Sequence, residues 1–316
     1  MTQAKAAAAR AALADCEGVV VAFSGGVDSA VVAALAVDAL GDRAIACTAK
    51  SETRPAAELA EAVAVAEEIG IRHEVVEFSE LTNPDFVAND DRRCYHCRTM
   101  RLGRLYEAAS EFGIDVVCDG TNASDPGAGH RPGLRAVEEL DVRSPLLAND
   151  ITKSEVRAIA DDYGLSVADK PAMACLSSRI PTGLEVTAER LTRVERAERL
   201  LRTWGFEQFR VRDHDGLARI EVAPDELEAA LDPAFAAAAR EHLTDVGFEH
   251  VTLDLAGYRT GSVSPAGEDD VDGEDDADGE HDGSKRDGAD SGDDTASESA
   301  GDPVVADVFA TKYPID

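Results

Sequence analysis

The sequence contains few lysines, few aromatic residues and no long apolar run. Six lysines stand against 25 arginines, and aromatic residues make up only 5% of the 316 positions. No apolar run approaches the roughly 18 residues that a membrane-spanning helix needs, so we expect no membrane segment. The Ala-rich start carries Asp15 and Glu17 and does not resemble a signal peptide, which favours the cytoplasm.

Negative charge dominates the composition. Asp and Glu number 63 against 31 Lys and Arg, a net charge of −32. Such a chain lacks the basic surface of a large nucleic-acid footprint, so nucleic acid is not an expected partner. A lysine-poor acidic surface is also typical of proteins that work in concentrated salt, where charge repulsion is screened. We therefore expect a halophilic source.

Part of this charge lies near the C-terminus. Residues 262–305 contain 16 Asp and Glu against Lys285 and Arg286, a net charge of −14, which leaves −18 for the rest of the chain. Because this stretch has almost no apolar content, we predict that residues 262–303 form a disordered acidic insertion. The closing segment, residues 304–316, begins with apolar residues that could dock on the folded body.

One glycine-rich phrase, Ser24-Gly25-Gly26-Val27-Asp28-Ser29, indicates a phosphate-binding turn. It follows an apolar strand at Val19–Phe23 and opens a helical run from Ala30 to Leu40. Backbone N–H groups of such a turn converge, and the helix N-terminus adds partial positive charge. The phrase lacks the Gly-Lys-Ser/Thr ending of a Walker loop, which argues against an ATPase that transfers the γ-phosphate. A plain glycine turn with a helix cap is the alternative.

Strands and helices alternate along the first 170 residues. After a short helix at 3–16 and the glycine-rich turn, strands are predicted at 44–48, 73–78 and 116–118, and helices at 54–70, 98–113 and 152–163. This alternation is typical of an α/β fold with a doubly wound parallel sheet. We place the end of this domain, residues 1–170, near Pro171.

Residues 171–261 have a different pattern, which predicts a second, smaller α+β domain. A charged amphipathic helix at 187–204 precedes two hairpin strands, 208–212 and 218–222, around a turn at 213–216. Helices near 225–231 and 235–246 and a last strand at 250–255 complete an α-β-β-α-α-β order.

Three polar residues are candidates to bind a nucleotide together with the turn. Asp28 opens the helix and could hold Mg²⁺ on the phosphates, since hard cations prefer oxygen ligands; its other possible role is a helix cap. Asp125 ends a polar stretch, Asp119–Asp125, that follows a strand, where open α/β sheets place ligands. It could serve the metal or the ribose, or be a turn residue. Lys153 begins a helix and could contact pyrophosphate.

Three of the six cysteines suggest sulfur or metal chemistry. Cys94 and Cys97 form a Cys-x-x-Cys pair that includes His96, and Cys175 lies on the segment that leaves the first domain. Their thiolates could hold a [4Fe–4S] cluster with one open iron, form a zinc site with His96, or act as a redox pair. The other three lie in or beside apolar strand segments and are expected to be small core residues: Cys16, Cys47 and Cys118.

Several phrases together resemble one family. Ser24–Ser29 resembles the PP-loop of the ATP pyrophosphatases, which split ATP between the α and β phosphates and have an adenine nucleotide α-hydrolase-like fold. The phrases that resemble the LarE family in particular lie at residues 119–122, 131–135, 152–157, 174–181, 209–212, 218–222 and 257–262. The resemblance covers about residues 5–262, and the phrase Cys175-Leu176-Ser177-Ser178-Arg179 is absent from other PP-loop families.

That family comprises ATP-dependent sulfur transferases of nickel-pincer nucleotide biosynthesis. The resemblance implies that ATP, with Mg²⁺, adenylates a carboxylate of a pyridinium dicarboxylate mononucleotide and releases pyrophosphate. Sulfur then displaces AMP to leave a thiocarboxylate. By matching position Cys175 handles the sulfur, and in single-cysteine members this residue gives up its own sulfur and becomes dehydroalanine. The family also implies a homo-oligomer.

Cys94 and Cys97 depart from the single-cysteine pattern. They make the chain similar to a three-cysteine subtype, in which a [4Fe–4S] cluster bound by Cys94, Cys97 and Cys175 carries a sulfide and the protein turns over. The resemblance therefore favours the cluster over the sacrificial route.

The resemblance also suggests a substrate-phosphate site in the second domain. Arg210 and Arg212 lie two apart on a predicted strand, so both side chains leave the same face, and paired guanidinium groups suit a phosphate. Arg179 and Arg259 are candidates for the same site, and Glu221 on the partner strand could orient one arginine. A solvated strand face is the alternative.

Two other PP-loop activities fit parts of the pattern. A tRNA 2-thiolation enzyme would use the same three cysteines, but the acidic surface weighs against it. An ammonia-dependent synthetase of the NAD or GMP type would have no role for the cysteines, and no glutaminase domain precedes the loop. A nucleotide-sensing adaptor that binds ATP without releasing pyrophosphate is the non-enzyme alternative.

Overall fold

The computed structural model describes residues 1–126, 132–170 and 174–259. In the first two ranges strands and helices alternate, as predicted. The strands are β1 (Val19–Ala22), β2 (Ala44–Lys50), β3 (Arg72–Glu77) and β4 (Val117–Cys118). The helices are α1 (Thr2–Ala14), α2 (Val27–Leu40), α3 (Ala56–Ile69), α4 (Pro84–Val87), α5 (Arg93–Glu111), α6 (Pro132–Glu139), α7 (Pro145–Ala148) and α8 (Lys153–Asp162).

The four strands form one parallel sheet in the order β3-β2-β1-β4. Strand β1 is central, because Val20 pairs with Ile45 of β2 and with Val117 of β4. Val19 and Val21 belong to the core on one side of the sheet, with α1, α2 and α8, whereas Val20 belongs to the core on the other side, with α5 and α6. Burial of both faces explains the continuous apolar run of this strand. The predicted doubly wound α/β fold is confirmed.

The start of α5 differs from the prediction. The helix begins at Arg93, before the predicted start at residue 98, so Cys94 and Cys97 lie within its first five residues. The carbonyl of Asp90 accepts the backbone N–H of Arg93 at 3.1 Å, which supports the earlier start. Because Cys, Tyr and His are only moderate helix formers, the sequence pattern does not reveal this first turn.

Three short helices, α4, α6 and α7, lie in stretches for which the sequence predicts no element. They contain four, eight and four residues, and each begins with a proline. Proline suits the first helical position because its missing N–H has no helical partner to lose. Helices this short leave too few positions for a hydrophobic period to be recognised.

The third range contains a second sheet of three strands. It has the order β5 (Phe209–His214), β6 (Leu217–Val222), β7 (His250–Leu253), with β5 antiparallel and β7 parallel to β6. Asp215 and Gly216 join β5 to β6, and their φ angles of 56° and 92° are those of a tight hairpin turn. The helices are α9 (Ala188–Trp204), α10 (Leu227–Ala230) and α11 (Pro233–Asp245). The predicted α+β pattern is confirmed, although the last strand ends at Leu253 rather than at residue 255.

The second sheet has its own core. Val211 and Ile220 are buried there together with apolar residues of α9 and α11. Phe86 of α4 belongs to the same core, so contacts cross between the two sheets. The predicted boundary at residues 170/171 remains a prediction, and the predicted acidic insertion (262–303) and C-terminal segment (304–316) lie outside the described residues. Among the helices of the described ranges, none combines the length and apolarity needed to cross a membrane.

Candidate active site

The strand order places a crevice between β1 and β4. From β1 the chain continues to β2 and β3 on one side, whereas β4 pairs with the other side of β1. The loops after β1 and β4 therefore lead in different directions at the carboxyl end of the sheet, where open α/β sheets bind ligands. These loops are the glycine-rich turn Ser24–Ser29 and the Asp119–Asp125 stretch.

Two serines close the glycine-rich turn on itself. The Oγ of Ser24 accepts the backbone N–H of Gly26 at 3.2 Å and lies 3.1 Å from the Oγ of Ser29. The Ser29 hydroxyl in turn donates to the carbonyl of Gly26 at 3.0 Å. Gly26 is the N-cap residue of α2, followed by Val27, and brings no capping side chain to the helix N-terminus. The turn therefore presents helix-terminal N–H groups in the way that anion sites require.

Gly25 of this turn cannot be replaced without strain. Its φ is +71°, and a Cβ there would lie 2.7 Å from the Cα of Ala62 in α3. We expect Gly25→Ala to lower the free energy of unfolding by about 2–3 kcal/mol, because it combines an unfavourable φ with a clash against backbone. Urea unfolding of the purified protein measures this change.

Gly70 provides the control at the C-terminal end of α3. Its φ is +73°, close to that of Gly25, but a Cβ there would meet nothing within 4 Å. Gly70→Ala therefore reports the cost of the positive φ without a clash, and the loss at Gly25 should exceed it by at least about 1 kcal/mol. Equal losses would contradict the close packing of the turn on α3.

Asp28 connects the turn to two other loops. Its Oδ2 accepts from Nζ of Lys153 at 2.6 Å, and its Oδ1 accepts from Nδ2 of Asn122 at 3.0 Å. Gly120 allows this approach, since a Cβ there would lie 2.9 Å from the backbone nitrogen of Ser29. Asp28, Lys153 and the loop after β4 thus meet at one point beside the glycine-rich turn.

The loop after β4 is held mainly by Asp119. This carboxylate is 2% exposed and accepts from the hydroxyls of Thr121 and Ser144 at 2.6 and 2.7 Å, and from Arg98. Asp125 accepts the backbone N–H of Asn122 at 2.9 Å, which is a turn role, and its side chain also faces the crevice. The turn contact of Asp125 and its position at the crevice are compatible with each other, because a turn residue can also bind a ligand.

The crevice is a cavity of about 510 Å³ that joins the glycine-rich turn to the cysteines. Residues of both groups line it: Ser24, Asp28 and Ser29 of the turn, and Cys94, Cys97 and Cys175. Residues far apart in sequence therefore share one space large enough for a nucleotide-sized ligand.

The three cysteines have different environments. Cys94 is exposed, whereas Cys97 and Cys175 are half-buried. The Cys97 thiol lies 3.3 Å from Oε1 of Glu80, and burial, with a smaller contribution from Glu80, raises the pKa of Cys97 to about 12 despite the nearby Arg101 guanidinium. Cys97 is therefore a neutral thiol at neutral pH in this arrangement.

Glu80 and Thr53 connect the two half-buried cysteines. The Glu80 carboxylate is fully buried and accepts from the hydroxyl of Thr53 at 3.0 Å as well as facing the Cys97 thiol. The carbonyl of Thr53 accepts the backbone N–H of Leu176, directly after Cys175, at 2.8 Å. The loop after β2 thus links the Cys175 segment to Glu80 and, through Glu80, to Cys97.

The cysteines do not converge as ligands of one metal ion. Within the described ranges, no three Cys, His, Asp or Glu side chains lie close enough together to hold an ion. Cys94, Cys97 and Cys175 line the same cavity but are separate in this arrangement.

Sequence reasoning did not identify the basic residues of the cavity. Four arginines line it, three of them on α5: Arg54, Arg93, Arg98 and Arg101. Arg98 and Arg101 pair with Asp119 and Glu80. Arg54 has only a 3.9 Å contact with Glu58, and Arg93 has no carboxylate partner among the described residues. In a chain of net charge −32, the positive charge of Arg54 and Arg93 at this cavity favours an anionic ligand. Recognising that α5 begins at Arg93 would have placed three of these arginines on one helix with the cysteines.

Two of the predicted phosphate-binding residues are engaged in buried ion pairs. Arg179 is 1% exposed and binds Glu198 of α9 through two nitrogens at 2.8 and 3.0 Å. Arg212 is 4% exposed, and its Nε and Nη2 bind Oε2 of Glu221 at 3.0 and 2.8 Å. The predicted pairing of Glu221 with a strand arginine is present, but a phosphate would have to displace these carboxylates.

The other two predicted phosphate ligands are more accessible. Arg210 is half-buried, donates to the carbonyl of Phe209 at 2.6 Å and stacks on the ring of Tyr258 at 5.1 Å. Arg259 is exposed. Neither lines the cavity between the turn and the cysteines.

We expect Arg179→Met to lower the free energy of unfolding by about 3–5 kcal/mol, because it leaves Glu198 buried without its partner. Arg72→Met is the matched control, since Arg72 pairs with Glu74 on the surface at 54% and 38% exposure; we expect it to cost about 1 kcal/mol or less. Urea unfolding and substrate titration separate the two roles of Arg179. Unchanged stability with a raised KM for the mononucleotide would contradict a structural role.

The remaining cysteines are buried, as predicted. Cys16, Cys47 and Cys118 are 7%, 0% and 0% exposed. Burial raises the pKa of Cys47 and of Cys118 to about 12, so both are unreactive thiols at neutral pH.

Comparison with known proteins gives relatives of two kinds. The chain is 37% identical, over 80% of its length and 91% of the relative, to the pyridinium-3,5-bisthiocarboxylic acid mononucleotide synthase of Lactiplantibacillus plantarum. It is 43% identical, over 77% of its length and 91% of the relative, to an uncharacterised protein of Synechocystis. A tRNA-specific 2-thiouridylase of Kocuria rhizophila is 34% identical over 48% of this chain and 50% of that enzyme.

The NAD synthase family model matches residues 7–93, which include the glycine-rich turn and the β1-α2-β2 unit around it. Such a match indicates the shared PP-loop fold of the first sheet, whereas the full-length relatives also cover the second sheet. The chain therefore belongs to the LarE family of ATP-dependent sulfur transferases, within the PP-loop enzymes.

Proposed function

We propose that this protein adenylates a carboxylate of a pyridinium dicarboxylate mononucleotide and converts it to a thiocarboxylate. The observation that carries the proposal is that the PP-loop and Cys175 line one cavity. A sulfur nucleophile facing the nucleotide site can attack the adenylate without the intermediate leaving the protein, which protects the intermediate from hydrolysis.

In the first step a carboxylate oxygen attacks the α-phosphorus of ATP. The bond from this phosphorus to the bridging oxygen breaks, and pyrophosphate leaves with the bonding electrons. The PP-loop N–H groups and Lys153, which reaches the turn through Asp28, stabilise the departing negative charge. Asp28 would hold Mg²⁺, which supplies further charge neutralisation when bound.

In the second step the Cys175 thiolate attacks the acyl carbon and AMP leaves, which forms a thioester. Loss of the Cα proton and cleavage of the Cβ–S bond then release the thiocarboxylate and leave dehydroalanine at position 175. This sacrificial route needs no other sulfur source, and the half-buried Cys175 has Ser177 Oγ at 3.1 Å as a hydrogen-bond partner.

The [4Fe–4S] cluster is a prediction of the family resemblance. The shared cavity of Cys94, Cys97 and Cys175 favours it, but their side chains do not meet as ligands among the described residues, so we assign no step to a cluster. Metal analysis of the purified protein therefore tests the assignment to the three-cysteine subtype.

Anaerobic purification followed by reaction with ATP, Mg²⁺ and the mononucleotide tests the proposal. We expect AMP, pyrophosphate and a thiocarboxylate in equal amounts, and mass spectrometry shows whether Cys175 loses its sulfur. Iron and acid-labile sulfide with an intact Cys175 would support the cluster, whereas loss of sulfur from an iron-free protein would support sacrifice. Nucleotide binding without pyrophosphate release would contradict both.

Two control substrates separate the related PP-loop activities. The chain spans about half the length of the 2-thiouridylases that it matches, so we expect no thiolation of unmodified tRNA. Ammonia in place of a sulfur donor distinguishes an amidating enzyme of the NAD synthase type. Formation of thiolated tRNA would contradict the proposed function and indicate a tRNA 2-thiolation enzyme. Formation of an amide would contradict it and indicate an amidating enzyme.

Several further properties belong to the same proposal. We propose residues 1–170 as the ATP-binding domain and residues 171–261 as the substrate and oligomerisation domain of a cytoplasmic, halophilic homo-oligomer. The ATP-binding residues are Ser24, Gly25, Gly26, Val27, Ser29, Asp125 and Lys153. Arg210 and Arg259 are the accessible candidates for the substrate phosphate.

A further inference from the structure

Arg54 is a buried cation that contacts the PP-loop. It lies between β2 and α3 and donates from Nη2 to the carbonyl of Ser24, the first residue of the turn. Its side chain is 10% exposed and lines the cavity. The sequence analysis assigns it no role, because nothing in the sequence brings residue 54 next to residue 24.

The charge of Arg54 is only weakly balanced by protein groups. The nearest carboxylate pair is Glu58, with 3.9 Å between Nε of Arg54 and Oε2 of Glu58. Nε of Arg54 and Oε1 of Glu58 are buried without a hydrogen-bond partner among the residues that the structure describes. Burial lowers the pKa of Arg54 and raises the pKa of Glu58, which is the direction expected for poorly paired buried charges. A buried donor left over in this way indicates a missing partner.

Arg54 lies between the PP-loop and the segment that carries Cys175. Arg54 contacts the PP-loop at Ser24, while its neighbour Thr53 is hydrogen-bonded to Leu176, directly after Cys175. Two adjacent residues therefore reach from the phosphate-binding turn to the sulfur-bearing segment.

We propose that Arg54 binds the α-phosphate of ATP and of the acyl-adenylate. This inference rests on the proposed function. The α-phosphate is the group that is bonded first to the leaving pyrophosphate on the PP-loop and then to the acyl group that sulfur attacks. The Arg54 guanidinium lies between the PP-loop and the Cys175 segment, so it can donate hydrogen bonds to the α-phosphate oxygens in both steps. Such charge-assisted, forked contacts are typical of arginine with phosphates.

Binding of three probes to the full-length Arg54→Gln variant tests the assignment: AMP, adenosine and inorganic pyrophosphate. We expect calorimetry to give about 10–100-fold weaker binding of AMP, because a charge-assisted contact to its only phosphate is lost. Adenosine and pyrophosphate should bind as they bind the wild type. Arg54→Lys, which keeps the charge but not the forked donors, should give an intermediate loss for AMP.

Arg43→Gln is the matched control. Arg43 also donates to a backbone carbonyl, that of Glu17 at 2.7 Å. It precedes β2, however, and so lies at the amino end of the strands, away from the PP-loop. This variant should bind all three probes as the wild type does.

Three outcomes would overturn the assignment. Equal weakening of AMP and adenosine, together with a lower melting temperature, would show that Arg54 only supports the turn. A larger loss of affinity for pyrophosphate than for AMP, each relative to the wild type, would place Arg54 at the outer phosphates. Unchanged AMP binding in both variants would remove Arg54 from the site. If the wild type itself binds no nucleotide, the proposed function fails rather than the role of Arg54.

Discussion

Asp28→Ala is expected to lower pyrophosphate release by at least about 10²–10³-fold, the usual effect of removing a group that stabilises transition-state charge. Asp28 is the proposed Mg²⁺ ligand, and it also holds Lys153 at 2.6 Å beside the PP-loop. The variant therefore loses the metal ligand and releases the lysine at the same time. A coupled pyrophosphate assay with saturating ATP and mononucleotide measures the rate.

Asp38→Ala is the matched control for this experiment. Asp38 lies near the other end of the same helix, where it contacts Tyr163 and Arg10 on the protein surface. Pyrophosphate release should be unchanged in this variant. If Asp28→Ala released pyrophosphate as fast as Asp38→Ala, the assignment of the turn as a PP-loop would be wrong.

Cys175→Ser is expected to abolish thiocarboxylate formation while pyrophosphate release continues. Serine fits the same space and can keep the hydrogen bond to Ser177, but its oxygen cannot deliver sulfur. The adenylation step depends on the PP-loop and not on the thiol, so the variant should form AMP and pyrophosphate without thiolated product. Mass spectrometry of the small molecules and a pyrophosphate assay follow the two steps separately.

Cys16→Ser is the control for the loss of a thiol elsewhere. Cys16 is buried and precedes β1, at the amino end of the strands and away from the PP-loop. Its sulfur accepts a hydrogen bond from Arg143 at 3.0 Å, which a serine hydroxyl can also accept. It should form thiocarboxylate normally. Thiocarboxylate formation by Cys175→Ser at the wild-type yield would show that the sulfur does not pass through residue 175.

Much of the fold could be predicted because the responsible signals are local. The apolar run at Val19–Ala22 and the Asp215-Gly216 turn each determine their own element through burial or backbone preference. The start of α5 could not be predicted in the same way. It depends on a hydrogen bond from Arg93 to the Asp90 carbonyl and on packing that compensates for moderate helix formers.

In the candidate site, too, the residues in continuous sequence phrases could be predicted, and those defined by contacts across the fold could not. The PP-loop is a continuous phrase, so its residues could be assigned from the sequence, and so could Asp28 at the start of α2. Glu80 and Arg54 could not, because their roles come from contacts with Cys97 and Ser24 across the fold. Arg179 resembled a free phosphate ligand in sequence because nothing there indicates its buried pairing with Glu198.

The most direct test of the account compares two analogues of ATP in the reaction with the mononucleotide. One has a methylene group between the β and γ phosphates, and the other has it between the α and β phosphates. Cleavage between the α and β phosphates followed by sulfur attack predicts thiocarboxylate with the first analogue and none with the second. Thiocarboxylate formed with the second analogue, or with neither while ATP itself supports the reaction, would contradict adenylation at the PP-loop.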